Sequence, residues 1–119
     1  MTQAEVAQFA REWIEAWNSH DFERILSHYT DDFEMSSPFI ISLFGQPSGT
    51  LKGREQIGTY WKMALERLPD LRFELLGVFA GVHSIVIFYQ AVPGKRGTEV
   101  FFLNESGKVH KAMAHHEQS

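Results

Sequence analysis

The stretch from residue 71 to residue 116 constrains this chain most. Four runs, 71–80, 84–92, 98–103 and 108–116, are rich in β-branched and aromatic residues. Between them lie Gly81-Val82-His83, Pro93-Gly94-Lys95-Arg96-Gly97 and Asn104-Glu105-Ser106-Gly107. Connections this short join strands that pair antiparallel. The C-terminal part of the chain therefore reads as a β-meander. One face of a meander must be covered by apolar surface from elsewhere in the chain.

The preceding residues supply that cover as helices. Thr2 and Glu5 have capping-box spacing. Val6, Phe9, Ala10, Trp13, Ile14 and Trp17 then recur at helical intervals along one face. Asn18-Ser19-His20 breaks the pattern, and Asp21 is placed to cap a second, short helix carrying Phe22, Ile25, Leu26 and Tyr29. Thr30-Asp31-Asp32 ends it. Residues 33–37 read as a short strand stopped by Pro38, and 39–44 as either a strand or a loop over a pocket. Residues 45–53 read as loop. A further helix is expected over 54–68, with Ile57, Tyr60, Trp61, Ala64, Leu65 and Leu68 on its apolar face and Pro69 at its end. Helices early and strands late predict an α+β fold, with the helices on one face of a curved antiparallel sheet.

A length of 119 residues suits one domain spanning 1–119. Eleven basic against fifteen acidic side chains, with no basic stripe, speak against nucleic acid as a partner. The chain has no cysteine, which excludes disulfides, thiolate metal sites and a cysteine nucleophile. No apolar run reaches the length of a membrane span, and Met-Thr-Gln-Ala-Glu carries neither the basic nor the apolar part of a signal peptide. The expectation is a soluble cytoplasmic protein with no membrane partner.

Four segments carry a family resemblance. They are Trp13-Ile14-Glu15-Ala16-Trp17-Asn18-Ser19-His20-Asp21, Tyr29-Thr30-Asp31-Asp32-Phe33, Leu51-Lys52-Gly53-Arg54-Glu55-Gln56-Ile57 and Ser106-Gly107-Lys108-Val109. In this order and spacing they resemble the nuclear-transport-factor-2-like (NTF2-like) superfamily and its SnoaL-like domains. The resemblance implies an NTF2-like or cystatin-like fold: a curved antiparallel, partly mixed sheet wrapped into a cone around the N-terminal helices. It also implies an apolar cavity and a homodimer formed through the outer sheet face. Ketosteroid isomerases in this superfamily place a tyrosine where this chain has Trp13. They place a proton-shuttling aspartate where it has Ser37, just before Pro38. Their second acidic residue corresponds to Glu99. Serine cannot act as the carboxylate base, so classical steroid isomerisation is not expected. The Asp-Arg-Asp trio of limonene-epoxide-hydrolase-like members has no counterpart.

Along 98–103, alternation places Glu99, Phe101 and Leu103 on one face and Val100 and Phe102 on the other. The resemblance turns the Glu99 face toward the cavity. A carboxylate there would have a raised pKa and act as an acid or base near neutrality. The bland reading is a rim residue paired with a cation. On the last run, His110, Ala112, Ala114 and His116 share a face, opposite Val109, Lys111, Met113 and His115. The two alanines leave room for a ligand, and His116 would assist Glu99 unless it lies in a fraying tail. Trp13, Trp17, Tyr29, Tyr60 and Trp61 are either core or an aromatic wall. Trp13, Trp17, Ser37, Tyr60 and Phe101 are the candidate ligand contacts. His20 and His28 are expected on solvated helix faces and His83 in a turn.

No metal is expected. His110 and His116 lie about 20 Å apart along a strand, and nothing else has ligand spacing. No phosphate loop or nucleophile elbow is present, and no cofactor is implied. Two functional readings remain. One is a cofactor-independent acid–base enzyme (an isomerase, cyclase or hydrolase) acting on a small apolar molecule. The other is a non-catalytic ligand-binding or dimerisation module. Val100 and Phe102, together with Val109 and Met113, form the expected outer dimer face.

Overall fold

The computed structural model describes residues 1–92 and 94–118. Pro93, in the expected second turn, and Ser119 lie outside the described residues.

Local chemistry sets the first elements. Thr2 accepts a hydrogen bond from the Glu5 amide at 3.1 Å, and Glu5 accepts one from the Thr2 amide at 2.8 Å. This capping box starts helix α1 (Gln3–Ser19), which buries Val6, Ala10, Trp13, Ile14 and Trp17. His20 ends the helix in the left-handed region, at φ 59°, and its amide donates to the Trp17 carbonyl. The expectation of a solvated His20 does not hold, because Nε2 lies 2.7 Å from the Leu71 carbonyl. His28 is likewise half-buried rather than solvated, with its ring edge-on to Phe9. His83 does occupy a turn, at φ 50°. Asp21 accepts from the Glu23 and Arg24 amides and starts helix α2 (Phe22–Leu26).

The next segment departs from the sequence reading. Helix α2 stops at Leu26, and Tyr29 through Asp32 open strand β1 (Tyr29–Ser36) rather than closing the helix. The Arg54 guanidinium donates to the carbonyls of Leu26 and Tyr29, at 3.1 and 3.2 Å, and pins the chain where it changes direction. Residues 39–44 contribute to helix α3 (Pro38–Ser42), neither the strand nor the loop expected. Ser37 caps this helix by accepting from the Phe39 amide, and Pro38 occupies its first turn. Within the expected loop, strand β2 (Thr50–Lys52) pairs with β1.

Helix α4 (Arg54–Arg67) and strands β3 (Arg72–Gly81), β4 (Ser84–Val92), β5 (Arg96–Leu103) and β6 (Val109–His116) complete the chain. The six strands form one curved, unclosed sheet in the order β2-β1-β6-β5-β4-β3. All neighbouring pairs are antiparallel except β1 and β6, so the sheet is mixed. The fold is α+β, with α1 and α4 packed inside the curve.

One bulge changes which residues face inward. Phe102 pairs with Lys111, but Leu103 pairs with Val109, so His110 is an extra residue in β6. Val109 is consequently fully buried and His110 exposed, the reverse of strict alternation. His110 therefore does not share the inner face with His116, and Val109 is not part of the outer face. Among the described residues no helix is long and apolar enough to cross a membrane.

Candidate functional site

Strand alternation brings Gly97, Glu99, Phe101 and Leu103 of β5 to the inner face, where all four are buried. Across β6, Glu99 faces Ala114 and Phe101 faces Ala112. The small Ala114 side chain, on the cavity wall, leaves space above the sheet. The helices bridge that space without filling it, leaving a cavity of about 610 Å³. Trp13, Trp17, Tyr60, Phe73 and Tyr89 provide most of its wall, with Glu99 inside and His116 toward one end.

Glu99 is 4% exposed and, among the described residues, has no basic residue or hydrogen-bond partner to stabilise its charge. Burial alone pushes its carboxyl up to about 8. It is not the cation-paired rim residue that was the alternative. At neutral pH it carries its proton and can donate a hydrogen bond or a proton; once ionised it can accept one. Three phenols, Tyr29, Tyr60 and Tyr89, stand close enough to feel its charge, which adds to the rise in their own pKa values. Burial pushes the Tyr60 phenol up to about 12, with the nearby Ser37 hydroxyl pulling the other way. All three phenols are protonated donors at any ordinary pH.

The other candidates divide. Trp13 lines the cavity, but its indole Nε1 donates to the Tyr29 hydroxyl at 3.0 Å, so its polar edge is already satisfied. The ring lies stacked on Phe73, with planes 9° apart. Trp17 lines the cavity beside Trp61, and its Nε1 is buried without a partner among the described residues. Ser37 is buried on the cavity wall and holds the start of α3. His116 is half-buried, and its ring lies 4.2 Å from that of Phe39. Burial and neighbouring His115 hold its imidazolium pKa down, so it is neutral at pH 7. Its Nε2 also lacks a partner among the described residues. Phe101 lies deeper, packed edge-on against Phe9 and Trp13 in the core. Tyr29 and Trp61 are buried and pack against each other. Among the described residues no three histidine or acidic side chains gather as metal ligands would.

Two wall residues escaped the sequence reading. Tyr89 alternates with Ile85 and Ile87 on β4, and that period was available as a signal. Phe73 sits at the start of a strand whose neighbours are largely exposed, and nothing in its local pattern marks it.

A curved sheet closed by helices over a chamber with a buried carboxyl, Glu99, defines the class: a small α+β cavity protein. The SnoaL-like domain family matches residues 10–111, and the chain belongs to that family. A SnoaL-like protein of unknown function from Burkholderia thailandensis is 51% identical, with 98% of each chain covered and a TM-score of 0.94. A SnoaL-like family protein from Agrobacterium tumefaciens, described as a candidate isomerase, is 17% identical over 98% of this chain and 100% of its own, with a TM-score of 0.79. An NTF2-like protein of unknown function from Burkholderia pseudomallei is 19% identical over 98% of this chain and 92% of its own, with a TM-score of 0.77. The latter two similarities concern the fold. Comparison with curated proteins found no match.

Proposed function

We propose that this SnoaL-like protein binds a small, largely apolar cyclic molecule in its cavity and uses Glu99 as an acid–base group on it without a cofactor. The observation that carries this reading is the Glu99 carboxyl itself, buried among aromatic rings with no ionic or hydrogen-bonding partner among the described residues. Leaving a carboxyl so placed lowers stability, and such sites are characteristic of function. A proton carrier with a pKa near 8 is matched to work around neutrality. His116 would assist from the chamber's end, and Trp17 and Tyr60 would hold the ligand's apolar body. The Ser37 position carries a hydroxyl in place of a base, so steroid isomerisation of the classical kind is not part of the proposal.

Native mass spectrometry of freshly purified protein tests this directly. The expected result is a small-molecule adduct, released on denaturation and diminished by Glu99→Gln. Adduct-free protein in every preparation, combined with a Glu99 carboxyl that titrates in the ordinary range by carbon NMR, would count decisively against it.

We also propose that two copies pair through the outer sheet face. Support comes from outward-facing Val86, Phe88, Val100 and Phe102, half-covered within one chain and continuous with Phe79, which is 61% exposed.

A further inference from the structure

Gly97 is buried at the centre of three strands: it pairs with Tyr89 of β4 on one side and with His116 of β6 on the other. Its backbone does not lie in the left-handed region, so conformation does not require glycine here. Space does. A Cβ at this position would stand 3.0 Å from both Cζ and the hydroxyl oxygen of Tyr89 and 2.9 Å from the His115 carbonyl. The Tyr89 phenol therefore lies down over β5 in the gap that the missing side chain leaves. Its ring is held from above by Phe73, with centroids 4.6 Å apart, and by Trp13 at 5.6 Å. Along the same inner face the next residue of β5 is Glu99, and across the sheet stands His116. Like Glu99, Tyr89 lines the cavity, and neither side chain makes a hydrogen bond to the protein among the described residues.

We infer that Tyr89 is a ligand-contacting hydroxyl and that Gly97 is the residue positioning it, so that the site selects cyclic compounds carrying a hydroxyl or carbonyl oxygen over their bare hydrocarbon counterparts. This rests on the cavity reading above and adds its polar selectivity. The phenol O–H donates to the ligand oxygen, and the protonated Glu99 carboxyl supplies a second donor two residues along the strand. Aromatic packing fixes the Tyr89 ring before any ligand arrives, so little freedom is lost when the bond forms.

The test uses two probes of similar shape, 5-indanol and indane, titrated into the full chain and followed by amide NMR shifts. Wild-type protein is expected to bind both, with 5-indanol the tighter. Tyr89→Phe removes only an oxygen atom and is the deciding variant. It should weaken 5-indanol about three- to ten-fold, the usual range for one hydrogen bond, and leave indane unchanged. Gly97→Ala should show the same selective loss, because the added methyl displaces the hydroxyl. It also presses on the His115 carbonyl, so its result is read through the indanol-to-indane ratio, which general loosening of the fold would not move. A Tyr89→Phe protein that keeps wild-type preference for 5-indanol while Glu99→Gln loses it would overturn the inference and leave the cavity reading standing. Wild-type protein that binds neither probe would overturn both.

Discussion

Glu99 concentrates the functional case in one side chain, and it also makes a stability statement. Its folded pKa of about 8 lies above the ordinary value of 4.5. As pH rises, the unfolded chain gives up this proton first. The folded state therefore keeps its full stability from this group below about pH 4.5, loses it steadily up to about pH 8, and then levels off. Glu99→Gln removes that slope. Urea unfolding should show the variant gaining on the order of 4 kcal/mol over wild type at pH 9 and much less at pH 5. Parallel curves for the two proteins would mean that the carboxyl ionises freely in the folded state. From alternation in 98–103 and the family resemblance together, the inward placement of Glu99 was legible. The lack of any cation near it was not, because the nearest positive charges in sequence, Lys95 and Arg96, are exposed at the strand's outer end.

At the scale of elements, the junction between α1 and β3 shows what the local pattern misses. Asn18 reads as a break in helical periodicity. In the fold its side-chain amide donates to the Phe73 carbonyl at 3.0 Å and accepts from the Phe73 amide at 2.7 Å. It thus supplies both partners that a neighbouring strand would give to this residue of the edge strand β3. Together with the His20 contact to Leu71, it clamps the start of β3 against the end of α1. Asn18→Ala should cost about 1 kcal/mol, since the bonds are exposed to water. Hydrogen exchange at the Phe73 amide should rise while exchange in β5 stays unchanged. A variant with unaltered Phe73 exchange would remove the clamp from the account. Both long helices were legible because an apolar face at 3.6-residue spacing is a local property. The Tyr29–Asp32 segment was misread because the start of β1 is fixed by pairing with β6, Tyr29 opposite Val109, some eighty residues later.

For the whole molecule, the open question is what covers the outer face of the sheet. Exposed Leu76 and Phe79 on β3 adjoin half-buried Val86 and Phe88 on β4 and Val100 and Phe102 on β5. A contiguous apolar surface of this kind is uncommon on a monomer. Light scattering at micromolar concentration should report twice the 13.7 kDa chain mass. Phe102→Lys should shift the protein to monomers, because it would place a charge within the apolar contact, and should leave probe binding in the cavity intact. A wild-type protein that scatters as a monomer across that range would refute the pairing.

Sequence alone determined the fold class, the long helices, the antiparallel meander and the shared face of Glu99, Phe101 and Leu103. Each follows from periodicity and turn chemistry, which neighbouring residues impose on one another. Tertiary structure decided the remainder. The bulge at His110 reversed the faces of Val109 and His110, because strand register depends on the partner strand as well as on the sequence of β6. The cap at Ser37 made a helix of residues that read as apolar strand or loop. The chamber exists because small Ala114 comes to lie beside Glu99 on strands that curve away beneath the helices. Small residues scattered through a sequence become a cavity only when folding brings them together and the large residues around them cannot collapse inward.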